Sequence, residues 1–406
     1  MSGYDFLSGV RVLEVAQLGP SSLGGYLADM GAEVVKVEDG AGDPVRYMGM
    51  PAMGSPNGES LLHLRWNRGK KSISIDLKEE AGKALFRRLA ARSAIVIEGM
   101  RAGVLDRLGL GYEDLSGDNP ALVFCSISGL GSYGPYAKMG SHGPSFDAFG
   151  ALSSINPYAL TKEERAKSNA VPVGMHAMGL YAALGVLSAL VKAQATGRGA
   201  QIEVAAADCA AHWLPDSVDA ELNRDQCFDR EGFLGGEGRQ AWWPRLCHYE
   251  CADGRGLFFQ AYSPKFWDRF CAAVDRDDLA QAYRSDRDVN AIDSEVHPWL
   301  EELFRSRTFS EWMELFEAND VPAGPANSLE TLAENPHFLA RDNLYETLNA
   351  EGVSLRLTTT PVKSPGRSFA PDPPSGVGND FDDVLRDWLE VDEGEVQKLR
   401  GGDVHE

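Results

Sequence analysis

The chain is poor in cysteine and in positive charge, and it lacks a long uninterrupted hydrophobic run. Its 406 residues include six cysteines without the short regular spacings of a disulfide framework, which predicts a reducing, cytoplasmic location. Cys247 and Cys251 form one CxxxC pair, but no second pair follows at the spacing of a zinc site. The most apolar run, Met178–Val191, contains glycine and is short for a bilayer-spanning helix, so we expect no membrane association.

Acidic residues outnumber basic ones by 60 to 39, which gives a formal net charge of −21. Nucleic acid and anionic membrane surfaces repel such a chain on average, so neither is an expected partner. An anionic ligand would therefore need a local group of cations. RWNRGKKS, Arg65–Ser72, has four cationic side chains in eight residues; it is either a solvated loop or an anchor for a phosphorylated ligand.

Short β-branched runs alternate with helical patterns over the first half of the chain. In the helical pattern Lys78–Ser93, Ala81, Leu85 and Leu89 recur at four-residue spacing. Alternation of this kind predicts an α/β layer with a largely parallel sheet. The expected strands are Gly9–Val15, Ala32–Glu38, Lys71–Leu77, Ser93–Gly99 and Ala121–Ser128.

The composition and the residue pattern of the sequence change after residue 215. Residues 216–245 are polar and glycine-bearing and are predicted to be a linker or loop. Residues 246–340 have a compact α+β pattern, with a hairpin turn at Asp253-Gly254. We therefore predict a large domain at 1–215, a small domain at 246–340, and a return connector with a C-terminal helical part at 341–406. The Pro/Gly-rich segment Arg367–Asp380 belongs to that connector.

Two motifs that suggest cofactors do not meet the requirements of those sites. GLGSYG, Gly129–Gly134, matches GxGxxG, but the next residues contain proline and glycine where a dinucleotide site needs a helix. We therefore expect a glycine-rich turn. The histidines near predicted loop or helix ends have neither HxxxH nor HExxH spacing, so no metal site is expected. They are His142, His176, His212 and His248.

Four segments resemble the family III CoA-transferases, a group that includes formyl-CoA transferase, carnitine CoA-transferase and α-methylacyl-CoA racemase. They are Gly9–Arg46, Asn67–Leu115, Asn119–Ala137 and Thr196–Asp208. The resemblance implies a Rossmann-like large domain that holds coenzyme A, a small α+β domain, and two chains interlocked as a dimer. It also implies acyl-CoA and a carboxylic acid as substrates.

The resemblance further implies a CoA site that contains residues from three segments of the large domain. One departure is Gly99-Met100-Arg101-Ala102-Gly103, where the family usually has Asn-Phe-Arg-Pro-Gly. That change alters the wall of the pocket and keeps its cation. The implied CoA-binding residues are Gln17, Leu18, Lys70, Lys71, Gly99, Met100 and Arg107.

The family's nucleophile is missing from its expected place. In the transferases a carboxylate at the start of a long helix attacks the donor thioester, giving a mixed anhydride and then an enzyme-bound CoA thioester. By the resemblance that carboxylate falls at Met175, and no Asp or Glu lies between Asn169 and Gln194. A thioether cannot form an anhydride.

The racemase branch offers acid–base chemistry, and its residues are missing as well. Its histidine falls on Phe146 and its aspartate near Gly174. The remaining candidates for proton transfer are Asp147, His142 and His176. The dipole of a helix N-terminus would favour the neutral form of His176, as a base requires.

Three hypotheses remain open. The chain is a transferase subunit that works with a paralogous catalytic chain, with an aryl- or alkyl-substituted succinate as the expected acid. Alternatively, it is a homo-oligomeric isomerase, racemase-like enzyme or hydratase that uses the three acid–base candidates. The third hypothesis is an acyl-CoA-binding protein without catalysis.

Overall fold

The computed structural model describes residues 3–48, 59–152, 172–226, 243–284 and 289–400. The chain forms two compact units. The first contains Met1–Leu222 and Asp342–Glu406, and the second contains Asn223–Arg341. A helix, Pro215–Leu222, stands at the start of the predicted linker. Residues 227–242 of that linker lie outside the described part of the chain.

A six-stranded parallel sheet is the centre of the first unit, in the order β3-β2-β1-β4-β5-β6. This sheet confirms the α/β, Rossmann-like prediction. Each crossover between parallel strands needs a connection that returns the chain to the same edge, and helices supply most of these connections. The strands are β1 (Arg11–Ala16), β2 (Glu33–Glu38), β3 (Lys71–Ser74), β4 (Ile95–Gly99), β5 (Val123–Ser128) and β6 (Ala200–Ala205).

Nine helices precede the second unit within the described residues. The longest of them, α7, ends at Thr196. The next residue, Gly197, has a φ of 69°, in the left-handed region that glycine adopts without strain. The helices are α1 (Ser22–Asp29), α2 (Leu61–Asn67), α3 (Glu80–Ala91), α4 (Val104–Arg107), α5 (Tyr112–Ser116), α6 (Pro144–Phe149), α7 (Val173–Thr196), α8 (Ala206–His212) and α9 (Pro215–Leu222).

Hydrophobic side chains fill the space on both faces of the sheet. Because successive residues of a strand point to opposite faces, Val12 packs in one cluster and Leu13 in the other. The Val12 cluster includes Met178 of α7, and the Leu13 cluster includes Leu85 of α3. With both faces covered, the strands are apolar along most of their length, as parallel strands are.

Within the described residues, α7 is long and apolar enough, by length and composition, to cross a membrane. The helix extends beyond the apolar run that the sequence suggested, to 24 residues. Its residues Ala182, Val186 and Ala193 are buried in the Val12 cluster. Core helices meet the same criterion, so this helix is weak evidence for a membrane span.

The second unit combines an antiparallel three-stranded sheet with helices. The predicted hairpin is confirmed, and Gly254 at its turn has a φ of 74°. An aromatic cluster that includes Phe259, Phe270 and Trp312 fills the core. The elements are β7 (Cys247–Glu250), β8 (Gly256–Phe259), α10 (Pro264–Ala273), α11 (Asp277–Ala282), α12 (Val289–Phe304), α13 (Phe309–Ala318), β9 (Ala323–Ala326), α14 (Leu329–Ala333) and α15 (Pro336–Ala340).

The returning segment completes the first unit. It forms an antiparallel hairpin of β10 (Leu344–Leu348) and β11 (Ser354–Thr358), and then two helices, α16 (Phe381–Leu389) and α17 (Glu393–Arg400). The predicted connector Arg367–Asp380 contains neither helix nor strand. Backbone hydrogen bonds, such as the 2.8 Å bond from the Gly69 amide to the Asp372 carbonyl, fix this connector beside β3.

Candidate active site

The strand order reverses between β1 and β4, so a crevice is expected where their carboxyl ends meet. Ala16 at the end of β1 pairs with Gly99 at the end of β4. In open α/β sheets, ligands bind in the crevice at such a reversal. Gln17 and Leu18 directly follow Ala16, and Met100 directly follows Gly99. The structure thus brings four of the predicted CoA-binding residues to one place.

Gly99 allows the two segments to approach closely. A Cβ atom at this position would lie 2.5 Å from Cβ of Pro20 and 2.6 Å from Cβ of Ala16. Contacts this short do not occur between real side chains. The sequence at the end of β4 is therefore constrained to glycine by the turn that follows β1.

Four buried, oppositely charged side chains lie beneath the crevice. Each of Glu14, Lys36, Asp43 and Lys70 is at most 3% exposed. The Lys36 ammonium lies 3.1 Å from a Glu14 oxygen and 2.9 Å from an Asp43 oxygen. It also donates to Ser21 Oγ at 2.8 Å. Buried charges are tolerated when paired and hydrogen-bonded in this way.

The buried position of Lys70 contradicts its predicted contact with a CoA phosphate. Its Nζ donates to both Glu14 carboxylate oxygens, at 2.9 and 2.7 Å. It also donates to the Ser21 carbonyl at 2.7 Å and to Asn67 Oδ1 at 3.1 Å. Burial and the nearby charge of Lys36 lower the pKa of Lys70 to about 8, and the charge of Glu14 opposes this shift. Because its donors are occupied, Lys70 supports the loop after β1 from below.

The other two predicted cations are more accessible. Lys71 is half-buried, and its Nζ donates to Glu33 Oε1 at 2.8 Å. Although burial opposes it, this hydrogen bond raises the pKa of Lys71. Arg107 is exposed at the end of α4, just beyond β4, and no carboxylate within the described part of the chain pairs with it. A phosphate contact stays a prediction for both residues.

A cavity of about 320 Å³ lies at the carboxyl ends of β4 and β5. Met100 and Ser128 contribute to its lining, together with the acidic residues Glu98, Asp106 and Glu203. Burial raises the pKa of Glu98, whose carboxylate accepts hydrogen bonds from the Leu105 amide and from Ser126 Oγ, both at 2.9 Å. Since anions repel, this acidic lining does not suit a phosphate group.

Met175 lies in the first turn of α7, next to the loop that follows β1. A Cβ atom on Gly19 would lie 2.7 Å from Met175 Cγ and 3.3 Å from its sulfur. The first turn of α7 contains no acidic residue. The expected nucleophile position therefore presents a thioether that packs against the crevice loop.

Asp147 caps the start of α7 from the neighbouring helix α6. Its carboxylate is 5% exposed and accepts hydrogen bonds from the Val173 amide at 3.0 Å and from the Gly174 amide at 2.7 Å. The first amides of a helix have no partner inside the helix, so a carboxylate placed here stabilises the helix. Capping is the role that these contacts give to Asp147.

His176 lies close to Asp147, whereas His142 stands apart. The His176 ring is 6.1 Å from the Trp66 ring, edge to face. Burial and the nearby Arg65 lower the pKa of His176, against the charge of Asp147. His142 is exposed, and in the described part of the chain its recorded hydrogen bonds are backbone contacts with Ser145. The structure thus places two of the three acid–base candidates, Asp147 and His176, near each other.

Neither motif that suggested a cofactor has the local structure of a cofactor site in the described residues. Residues 129–134 form bends, which confirms the glycine-rich turn, and the next described helix begins only at Pro144. Across the described ranges, no group of three His, Cys, Asp or Glu side chains could hold a metal ion. Cys247 and Cys251 are free thiols.

The sequence interpretation missed the buried charges of Glu14, Lys36 and Asp43. A signal was present for the first two, because each charge stands in the middle of an apolar strand, in VLEV and VVKV. A charge at such a position must find a partner inside the protein. The partner could not be identified, because register between strands is not visible in one strand's sequence.

The chain belongs to CoA-transferase family III, whose family model matches residues 7–379. It is 31% identical over 403 residues to the succinyl-CoA–L-malate CoA-transferase alpha subunit of Chloroflexus aurantiacus, covering 97% of this chain and 91% of that protein. The beta subunit from the same species is 27% identical, with 97% and 96% covered. The cinnamoyl-CoA:phenyllactate CoA-transferase of Clostridium sporogenes is 32% identical, with 88% and 87% covered.

Solved structures agree with this assignment. Rv3272 from Mycobacterium tuberculosis superposes with a TM-score of 0.78 at 28% identity, covering 94% of this chain and 99% of that one. A CAIB/BAIF family protein from Brucella suis superposes with a TM-score of 0.71 at 26% identity, with 94% and 99% covered. Acyl-CoA is the substrate that this family implies, and no other cofactor is indicated.

Proposed function

We propose that this chain is the supporting subunit of a heteromeric CoA-transferase, and that a paralogous chain supplies the nucleophilic carboxylate. The observation that carries the proposal is Met175 in the first turn of α7, packed against Gly19 beside the crevice. Covalent catalysis in this family needs a carboxylate there, and a thioether cannot replace it. The fold around the crevice nevertheless resembles that of solved family members.

Relatives support the proposal of two different subunits. Both an alpha and a beta subunit of one succinyl-CoA–L-malate CoA-transferase are similar to this chain over nearly their whole length. We extend the proposal to an aryl- or alkyl-substituted succinate as acceptor, to an interlocked pair of chains and to a cytoplasmic location. Gln17, Leu18, Gly99, Met100 and Arg107 are the proposed CoA contacts, with Lys71 as a further cation.

The proximity of Asp147 and His176 favours a second candidate, an acid–base enzyme that acts on acyl-CoA. Two features argue against it. Both oxygens of Asp147 already accept amide hydrogen bonds from α7, and the third candidate, His142, is not joined to the pair. A base must reach the proton that it removes, and capping restricts that reach. We therefore favour the supporting subunit.

A substitution at the nucleophile position tests the proposal directly. Purified wild-type chain should not transfer CoA from succinyl-CoA to substituted succinates. Met175→Asp should form an enzyme-bound CoA thioester that mass spectrometry detects and hydroxylamine removes. Met175→Asn is the matched control, similar in size to the aspartate variant but unable to form an anhydride.

Two results would contradict the proposal. Transfer by the wild-type chain alone would show that it has its own nucleophile. Turnover of an acyl-CoA to an isomer or hydrated product by the wild-type chain, lost in His176→Ala, would favour the acid–base enzyme.

A further inference from the structure

We propose that Asp43 is a positioning residue for acyl-CoA, because its buried carboxylate holds the Gln17-Leu18 backbone that forms one wall of the crevice between β1 and β4. This inference rests on the proposed binding of CoA in that crevice. Asp43 itself lies below the loop and does not need to touch the ligand. Its effect would reach CoA through the conformation of Leu18.

Leu18 has an unusual backbone conformation. Its φ is 57° and its ψ is −139°, in a region that glycine adopts readily and that strains a residue with a side chain. Such a conformation persists only where the surrounding structure holds it. Two hydrogen bonds hold it: the Leu18 amide donates to Asp43 Oδ1 at 3.1 Å, and the Leu18 carbonyl accepts from the Ser21 amide at 3.1 Å. The first is the one that a side chain supplies.

Asp43 is fixed in turn by its own partners. Its side chain is fully buried, and its carboxylate also accepts from the Val45 amide at 2.9 Å and from Ser21 Oγ at 3.2 Å. Lys36 Nζ lies 2.9 Å from Oδ2 of Asp43. The same ammonium donates to the Ala16 carbonyl, the last of β1. The Lys36–Asp43 pair therefore fixes both ends of the turn that contains Gln17 and Leu18. We call these contacts the clamp.

Loss of this clamp would let Leu18 relax toward negative φ. The peptide group between Gln17 and Leu18 would then turn away from its position in the crevice. When a fraction of molecules has the binding-competent loop, the apparent affinity for the ligand falls by that fraction. A glycine at position 18 would take the positive φ without strain, so the clamp should matter less there.

A double-mutant cycle with coenzyme A as the probe tests the inference by calorimetry. In the wild-type background, Asp43→Ala removes the acceptor of the Leu18 amide. It should weaken binding about tenfold or more, because most molecules then lack the binding-competent loop. In the Leu18→Gly background the same change should weaken binding by about threefold or less. Asp76→Ala is the matched control, since the side chain of this exposed aspartate also accepts a backbone amide, that of Lys78. It should leave the affinity unchanged.

The outcomes separate this inference from the proposed function. Wild-type protein that does not bind coenzyme A would contradict the proposed CoA site itself. Wild-type binding with an equal loss in both backgrounds, or with no loss in either, would contradict the positioning role of Asp43. If circular dichroism shows that Asp43→Ala does not fold, Ser21→Ala replaces it as a milder loosening of the same clamp. The difference between backgrounds should then have the same sign.

Discussion

Glu38 at the end of β2 is held ionised by several donors. Arg46 donates to both of its carboxylate oxygens, at 3.0 and 2.6 Å, and the Asp43 amide donates at 2.8 Å. Burial opposes ionisation, but Arg46 and Ser72 outweigh it and lower the pKa of Glu38 to about 2. Its stabilising effect is therefore present above its ordinary pKa of 4.5 and is lost as the pH falls toward 2.

We predict that Glu38→Gln lowers the free energy of unfolding by about 2 kcal/mol at pH 7. The difference from wild type should shrink as the pH falls through the window from 4.5 to about 2. Urea unfolding at a series of pH values measures this effect. Glu113→Gln, at an exposed site on α5, is the control. A pH-independent difference would show that the charge of Glu38 is not what stabilises the fold.

Gly99 offers a test of the close approach between the ends of β1 and β4. Gly99→Ala would place a methyl group within 2.6 Å of both Ala16 and Pro20 side-chain atoms. We expect a loss of about 1 to 3 kcal/mol in the free energy of unfolding, together with weaker CoA binding. Gly117→Ala, where a Cβ atom meets nothing within 4 Å, should be nearly neutral in both measurements. Equal effects of the two substitutions would contradict the crevice geometry.

Helix α7 depends on Asp147 for its start. Asp147→Ala should lower the free energy of unfolding by about 1 to 2 kcal/mol, because two amides at the helix start lose their acceptor. Burial lowers the pKa of His176, and the charge of Asp147 opposes this shift. Removal of that charge should therefore lower the pKa of His176 further. An NMR titration of the His176 ring measures this shift, with Asp118→Ala as the exposed control. An unchanged His176 pKa would contradict the placement of the two side chains.

The main elements of the first unit could be predicted because their signals are local. β-branched runs and four-residue periodicity indicated the strands and α3, and the structure moves their ends by only a few residues. The β10–β11 hairpin and α9 were missed, because their segments are short and partly exposed. A hydrophobic pattern reports burial on one side, and these elements have little of it.

The site was predictable only in part, for a physical reason. Gln17 and Leu18 follow β1, while Gly99 ends the neighbouring strand β4 and Met100 follows it. A rule about strand ends therefore places them together. The basic segment and the family resemblance predict that Lys70 binds CoA. Only the folded chain shows that Glu14, 56 residues away, binds its ammonium. Long-range ion pairs of this kind leave no periodic signal in the sequence.

The exposed surface of α7 matters for the assembly of the whole protein. Leu180, Leu184 and Val191 are each more than half exposed and recur along one side of this helix. Large exposed apolar side chains in a row favour burial against another chain. This stripe fits the proposed pairing with a paralogous subunit.

The composition of the assembly is therefore the measurement that bears most directly on the proposed function. Native mass spectrometry of the protein isolated from its own host would give that composition, and a CoA-exchange assay would follow on the species that appears. We predict a complex with a second family III chain that has an aspartate at the nucleophile position, and CoA exchange by that complex. A homodimer of this chain that exchanges CoA by itself would contradict the proposal, because Met175 would then stand in a complete active site.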